Sequence, residues 1–215
     1  MRTGDETVSR RPAWRILPVM ILATWITACS PSERREAEER ARDTGYRGIL
    51  LSEPIPKPDF TLTDTRGEPF RFREETSGFV TLLFFGYTSC PDVCPVHMAN
   101  LAAALRKLPY ETRRRIRVLF VSTDPERDTP KRLREWLDQF DAGFIGLRGG
   151  LAEVNAVQAR LGLPPAVRQG DLVGHASQVI AFAPDGLARV AYPFGSRQVD
   201  WYHDLPKLAR IPPVP

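Results

Sequence analysis

An apolar stretch that leads directly into two cysteines most constrains how this chain can fold. Residues Phe79–Phe85 are β-branched, aromatic or leucine, with no polar alternation, which is typical of a strand buried on both faces of a sheet. Cys90 and Cys94 follow this strand closely. After them, an apolar spacing predicts an amphipathic helix that ends before Pro109; its apolar positions are Val96, Leu101, Leu105 and Leu108.

Strands and helices alternate along the rest of the chain. Strands are predicted at residues 116–122, 144–147, 178–183 and 187–192, and helices after Thr129 and at 151–161 and 199–209. This alternation predicts an α/β fold, in which helices flank both faces of a mixed sheet. Residues 59–64 and 69–72 alternate at period two on either side of Arg66-Gly67, which predicts an N-terminal β-hairpin.

The first 28 residues have the pattern of an export signal. A basic segment precedes a 13-residue apolar run, Ile16–Ala28, which is shorter than the roughly 20 residues of a membrane-spanning helix. Ile26-Thr27-Ala28-Cys29 resembles a bacterial lipobox, so residues 1–28 are expected to be a lipoprotein-type signal peptide and Cys29 to be lipidated. An uncleaved anchor is the alternative, and Arg10-Arg11 leaves a twin-arginine route open.

Residues 29–57 are expected to be a flexible tether between the lipidated cysteine and a folded domain at residues 58–215. Ser30–Arg42 is rich in Glu and Arg, and Pro54–Pro58 is rich in proline. The formal net charge of +4 falls to +2 without residues 1–28, because four arginines there outnumber two acidic residues. No basic stripe is interleaved with aromatic residues, so no nucleic-acid partner is expected.

The two cysteines after the strand allow three interpretations. With Cys29 lipidated, Cys90 and Cys94 are the remaining thiols, at a helix start that favours thiolate over thiol. They could form a structural disulfide, although the closed loop is short. They could be the redox-active pair of a thiol-disulfide reductase, one residue further apart than in C-x-x-C. They could also bind a soft metal such as Cu(I) or Zn.

A third ligand would favour the metal site, and the chain has only three histidines. His175 lies just before the strand predicted from Gln178. In a thioredoxin-like sheet, a loop that enters this strand lies beside the cysteine turn, so a neutral imidazole there could complete a Cys2His set. His97 is expected to be an exposed helix residue, and His203 is not expected to be a ligand.

Two motifs give a family resemblance. Gly86–Pro95 (GYTSCPDVCP) and Val121–Pro130 (VSTDPERDTP), together with the later His175, resemble the Sco/SenC family of copper chaperones over roughly residues 58–209. The resemblance implies a thioredoxin-like, membrane-tethered domain that carries copper to the dinuclear copper centre of cytochrome c oxidase subunit II. It also implies that Cys90, Cys94 and His175 are the copper ligands.

The resemblance is imperfect beside the histidine. Family members often have an acidic residue where this chain has Gly174. A carboxylate that orients the imidazole would therefore come from Asp171 or Asp124. Asp92, between the cysteines, is a further candidate, since its charge could tune the site.

Two functions follow, and they use the same cysteine pair. The first is a copper chaperone, not an enzyme, that binds Cu(I), with Cu(II) also open, at the outer, periplasmic face of the bacterial cytoplasmic membrane. The second is a thiol-disulfide reductase that keeps the subunit II cysteines reduced. Subunit II, another periplasmic copper carrier or a thiol reductant, and the membrane through the lipid anchor are the expected partners. A copper or redox sensor with no transfer activity is a third hypothesis.

Overall fold

A computed structural model describes residues 45–214 of the chain. The expected signal peptide, the lipidation of Cys29 and most of the expected tether lie outside the described residues. The strands are β1 Ile49–Pro56, β2 Thr61–Asp64, β3 Pro69–Arg71, β4 Val80–Gly86, β5 Ile116–Ser122, β6 Ile145–Arg148, β7 Val167–Gln169, β8 Leu172–Gly174, β9 Val179–Phe182 and β10 Leu187–Tyr192. The helices are α1 Phe72–Glu75, α2 Val93–Lys107, α3 Tyr110–Arg113, α4 Pro130–Asp138, α5 Leu151–Arg160 and α6 Gln198–Leu208.

Eight strands form one mixed sheet in the order β1-β10-β9-β4-β5-β6-β2-β3. Strand β4 is central: it runs parallel to β5 and antiparallel to β9. The predicted hairpin is present as the antiparallel pair β2 and β3 at one edge. The predicted α/β architecture with a mixed sheet is therefore confirmed.

The sheet separates two hydrophobic cores, and β4 contributes to both. Leu82 and Phe84 pack into one core with α2, α4 and α6, whereas Leu83 and Phe85 pack into the other with α1 and α5. All seven residues of β4 are buried, as the absence of polar alternation predicted. Helices thus cover both faces, and no helix among residues 45–214 is long and apolar enough to cross a bilayer.

The structure corrects the expected bounds of the tether, because part of that segment is strand β1. Residues Ile49–Pro56, which the sequence placed in a flexible segment, pair antiparallel with β10 at the edge of the sheet. Proline is tolerated on an edge strand because its missing N–H is not needed for a second neighbour. The register shifts between Leu50 and Ile55. Beyond this irregularity the proline-containing half of β1 still pairs with β10, so the prolines do not mark the start of the domain.

Lys57 follows β1 and is buried, with 4% of its surface exposed. Its Nζ donates a hydrogen bond of 2.5 Å to the Thr76 carbonyl and lies 5.9 Å from the ring centroids of both Phe72 and Phe182. Burial disfavours the ammonium form and lowers the pKa of Lys57 from 10.5 to about 8. The folded protein therefore releases this proton at a lower pH than the unfolded chain does.

This burial predicts a pH-dependent stability. Between about pH 8 and 10.5 the unfolded chain binds more protons than the folded protein, so stability rises with pH across that window. At about 1.36 kcal/mol per pKa unit, we expect Lys57 to contribute a rise of about 3 kcal/mol. Urea unfolding of wild type and Lys57→Met at several pH values measures it: the wild-type free energy of unfolding should climb relative to the variant, and a constant difference would contradict the prediction.

Candidate metal centre

Two neighbouring cysteines and a histidine that is distant in the sequence meet where β4 ends. Cys90 lies in the turn after β4, Cys94 lies in the first turn of α2, and His175 lies between β8 and β9. Because β9 is antiparallel to its neighbour β4, the start of β9 lies beside the end of β4. Both sulfur atoms and a ring nitrogen of His175 lie within 4.8 Å of one another. The sequence reasoning selected these three residues, and the structure brings them together.

The hydrogen bond at Nδ1 fixes the tautomer of His175. This nitrogen lies 2.8 Å from the Ala176 carbonyl, and a carbonyl only accepts, so Nδ1 carries the proton. The lone pair of Nε2 is therefore free, and Nε2 lies 3.5 Å from Cys94 Sγ. The imidazole presents the nitrogen that a metal would bind toward the thiols.

The two cysteines have opposite acid–base character. The pKa of Cys90 is lowered, first by the hydrogen bond from the Cys94 thiol and then by the backbone N–H groups of Cys94 and Asp92, and together these outweigh the opposing effect of burial. The pKa of Cys94 is raised because this thiol is fully buried and lies beside the charge on Cys90. These opposite shifts favour a thiolate at Cys90 and a neutral thiol at Cys94. Both cysteines are free in the structure.

Access to the cluster is one-sided. Cys94 is fully buried, Cys90 is 8% exposed and His175 is half-buried. The rings of Phe84 and Tyr87 stand edge-on to the imidazole, with centroids at 5.8 and 5.6 Å. The buried sulfur and the aromatic rings form the inner wall, so an incoming group would reach the cluster from the side of Cys90 and His175.

Asp128 supports the cysteine turn, a role that sequence reasoning did not find. Its buried carboxylate accepts hydrogen bonds from Thr88 N at 3.1 Å, from Thr88 Oγ1 at 2.5 Å and from Ser122 Oγ at 2.7 Å. Arg132 Nε in turn donates to Thr88 Oγ1 at 2.9 Å. Asp128 therefore ties the loop before Cys90 to the end of β5. The VSTDPERDTP motif contained this residue, but the sequence offered no mechanism for it.

Asp124, in the same motif, anchors the segment that leads to His175. Its buried carboxylate forms ion pairs with Arg127 and with Arg168 on β7, and Arg127 Nη2 also donates to the Asp171 carbonyl at 2.8 Å. Strands β7 and β8 pair with each other as a small separate sheet, which the sequence did not predict. These contacts hold that hairpin against the loop after β5.

The structure corrects the expected partner of the imidazole. Asp124 and Asp171 were the candidate carboxylates, but the group at Nδ1 of His175 is the Ala176 carbonyl. Asp124 is instead engaged by the two arginines, and the Asp171 contact is through its backbone. Asp92 is exposed and caps α2, since its side chain accepts from Val93 N at 2.5 Å. Charge tuning of the site by Asp92 stays a prediction.

The other two histidines lie outside the cluster. His97 was expected to be exposed but is buried, with 1% of its surface accessible, and its Nε2 lies 2.9 Å from the Ser177 carbonyl. Sequence reasoning missed this contact because the partner is a backbone carbonyl 80 residues away in the sequence. His203 lies 2.6 Å from Asp204 through Nδ1, on α6.

The fold and the site together define the class of protein: a thioredoxin-like α/β domain with a two-cysteine, one-histidine cluster at the N-terminus of a helix. Within that class, the SCO1/SenC family model matches residues 52–210, well over half of the chain. The chain belongs to the SCO1/SenC family.

Two relatives show the extent of the similarity. A Stutzerimonas stutzeri protein whose name assigns it copper binding is 37% identical over 145 residues, covering 66% of this chain and 71% of that protein. The mitochondrial protein SCO2 of Saccharomyces cerevisiae is 31% identical over 170 residues, covering 73% of this chain and 54% of its own length. This chain thus spans about half of the yeast relative.

Solved structures share the fold. Bradyrhizobium japonicum ScoI with copper bound superposes with a TM-score of 0.63 at 30% identity, over 72% of this chain and 99% of that one. BsSco, described as a member of the Sco family of cytochrome c oxidase assembly proteins, superposes with a TM-score of 0.62 at 24% identity, over 75% of this chain and 98% of that one. The second likeness concerns the fold alone.

Proposed function

We propose that this chain is a copper chaperone that binds Cu(I) through Cys90, Cys94 and His175 and delivers it to the dinuclear copper centre of cytochrome c oxidase subunit II. The observation that carries the proposal is the cluster of two sulfurs and one imidazole nitrogen within 4.8 Å. Thiolates with one imidazole select soft Cu(I) over hard cations. The copper-bound ScoI structure and the name of the Stutzerimonas stutzeri relative support copper as the cargo.

The acid–base state of the site fits capture and release of this cargo. His175 Nε2 and the Cys90 thiolate are ready to bind, whereas the Cys94 proton must leave when the metal enters. Release would begin at the accessible side, where an acceptor ligand replaces Cys90 or His175 first. The expected lipid anchor at Cys29 would hold this exchange at the outer face of the cytoplasmic membrane, and another periplasmic copper carrier would supply the cargo.

A thiol-disulfide reductase is the second candidate, favoured by the Cys90 thiolate beside a free Cys94 thiol. The Cys90 thiolate would attack a disulfide of the acceptor and release one of its thiolates, giving a mixed disulfide. Cys94, after losing its proton, would displace the second acceptor thiol and leave a Cys90–Cys94 disulfide. A thiol reductant would have to restore the dithiol after each turnover.

Anaerobic Cu(I) titration of the reduced protein against a competing chelator tests the chaperone proposal. We expect one tight equivalent in the wild type and binding weakened at least about tenfold in His175→Ala, because a ligand is lost. His203→Ala is the matched control and should bind copper like the wild type, since His203 lies on α6 and pairs with Asp204. X-ray absorption should show two sulfur ligands and one nitrogen.

The same variants separate the two functions. Copper binding that depends on His175, copper transfer to a subunit II fragment and slow disulfide reduction would support the chaperone. Disulfide turnover that is unchanged in His175→Ala, without tight copper binding, would support the reductase. Tight copper binding with no transfer to the fragment would instead indicate a sensor.

A further inference from the structure

His97 makes a contact that joins the helix carrying Cys94 to the loop carrying His175. It lies on α2, three residues after Cys94, and its side chain is 1% exposed. Its Nε2 lies 2.9 Å from the Ser177 carbonyl, two residues after His175. The contact spans 80 residues of sequence and is not required by the strand pairing of the sheet.

The tautomer follows from the acceptor. A carbonyl accepts only, so Nε2 of His97 carries the proton and donates it. Burial lowers the pKa of His97, which keeps the imidazole neutral. The rings of Phe84 and Phe194 lie against it, with centroids at 5.1 and 6.0 Å, and a hydrogen bond shielded from water in this way orients its partners more strongly.

Two histidines thus donate hydrogen bonds to consecutive backbone carbonyl groups. The Ala176 carbonyl accepts from Nδ1 of His175, which sets the direction of that ring. The next carbonyl, of Ser177, accepts from His97. The backbone whose carbonyl orients His175 is therefore held to α2 by His97. Since α2 also carries Cys94, the bond fixes the imidazole relative to the buried thiol.

We propose that His97 is a positioning residue for copper binding: its hydrogen bond to Ser177 holds the His175 loop where Nε2 of His175 meets the two thiols. The inference rests on the proposed function, in which His175 is a ligand. His97 does not contact the cargo, because its donor nitrogen is directed at Ser177. It acts on the site through the loop.

Two amide variants test the bond without changing the polarity of the position. The side-chain nitrogen of glutamine can reach the place of imidazole Nε2, whereas that of asparagine falls short of it. We expect His97→Gln to bind Cu(I) within about threefold of the wild type, and His97→Asn to bind about tenfold more weakly. His97→Leu, which keeps the bulk and removes the donor, should behave like His97→Asn.

Chelator competition gives the affinities, X-ray absorption counts nitrogen ligands, and thermal unfolding of the copper-free variants separates stability from binding. The nitrogen contribution should weaken in His97→Asn and stay intact in His97→Gln. Equal copper affinity for these two variants would overturn the inference, whether or not His97→Leu folds. His175→Ala is run alongside: if it also binds copper like the wild type, the proposed function itself fails, and the positioning role falls with it.

Discussion

Replacing Asp128 with alanine is expected to lower the free energy of unfolding by about 4 kcal/mol. The carboxylate is fully buried and accepts from the backbone and hydroxyl of Thr88 and from the hydroxyl of Ser122. Its removal leaves three buried donors without an acceptor. Each unmade hydrogen bond costs about 1–3 kcal/mol, and the sum is reduced by partial rearrangement.

Asp128→Ala should also disturb the candidate metal centre. Thr88 lies two residues before Cys90, and Arg132 is held to the same turn through Thr88 and Ser89. Urea unfolding and Cu(I) titration of Asp128→Ala should therefore both differ from the wild type. Asp138→Ala is the matched control: its carboxylate is half-exposed and pairs with Arg134, so a change within about 0.5 kcal/mol is expected. Similar losses in the two variants would contradict the buried-network explanation.

Local pattern was enough to predict the elements that carry the two cysteines. The unbroken apolar run of β4 and the helical spacing of α2 are strong signals because each element is buried by a regular set of positions. Thr129 and Pro130 likewise marked the start of α4, and Thr129 does cap that helix, since its Oγ1 accepts a hydrogen bond from Arg132 N. In these places, the local preference and the tertiary fold agree.

The third member of the cluster depended on long-range pairing. His175 is 81 residues from Cys94 and meets it only because β9 lies antiparallel beside β4. Sequence reasoning could place it there by assuming a thioredoxin-like sheet, and the family resemblance pointed to the same residue. The group that orients His175 was not predictable, because it is the backbone carbonyl of Ala176 and every residue type carries such a carbonyl.

Strand β1 and the short pair β7 and β8 were the least predictable elements. Strand β1 is exposed at most positions and contains prolines, so its composition resembles a linker, and only its pairing with β10 makes it a strand. Strands β7 and β8 have three residues each and are held to the fold by the ion pairs of Asp124. Short strands of this kind depend on tertiary contacts rather than on alternation.

Gly86→Ala is expected to damage stability and copper binding together. A Cβ atom at this position would lie 2.6 Å from Cys94 Sγ, 2.9 Å from Phe84 Cε1 and 3.1 Å from Phe120 Cε2. Gly86 ends the central strand and is paired with Ser122 on β5, so its backbone cannot move away easily. The sulfur and the rings must shift within a packed core, which costs about 3 kcal/mol.

The sulfur is the contact with the functional consequence. A displaced Cys94 Sγ is no longer placed to bind the same metal ion as Cys90 and His175. We therefore expect Cu(I) affinity to fall about tenfold. Gly174→Ala provides the matched control, because a Cβ there meets only the Val167 carbonyl at 3.6 Å, an ordinary contact, although it directly precedes His175. Urea unfolding and chelator competition on both variants measure the two effects. Unchanged copper affinity in Gly86→Ala would show that the site tolerates movement of its buried thiol, and the fixed geometry inferred for the cluster would have to be abandoned.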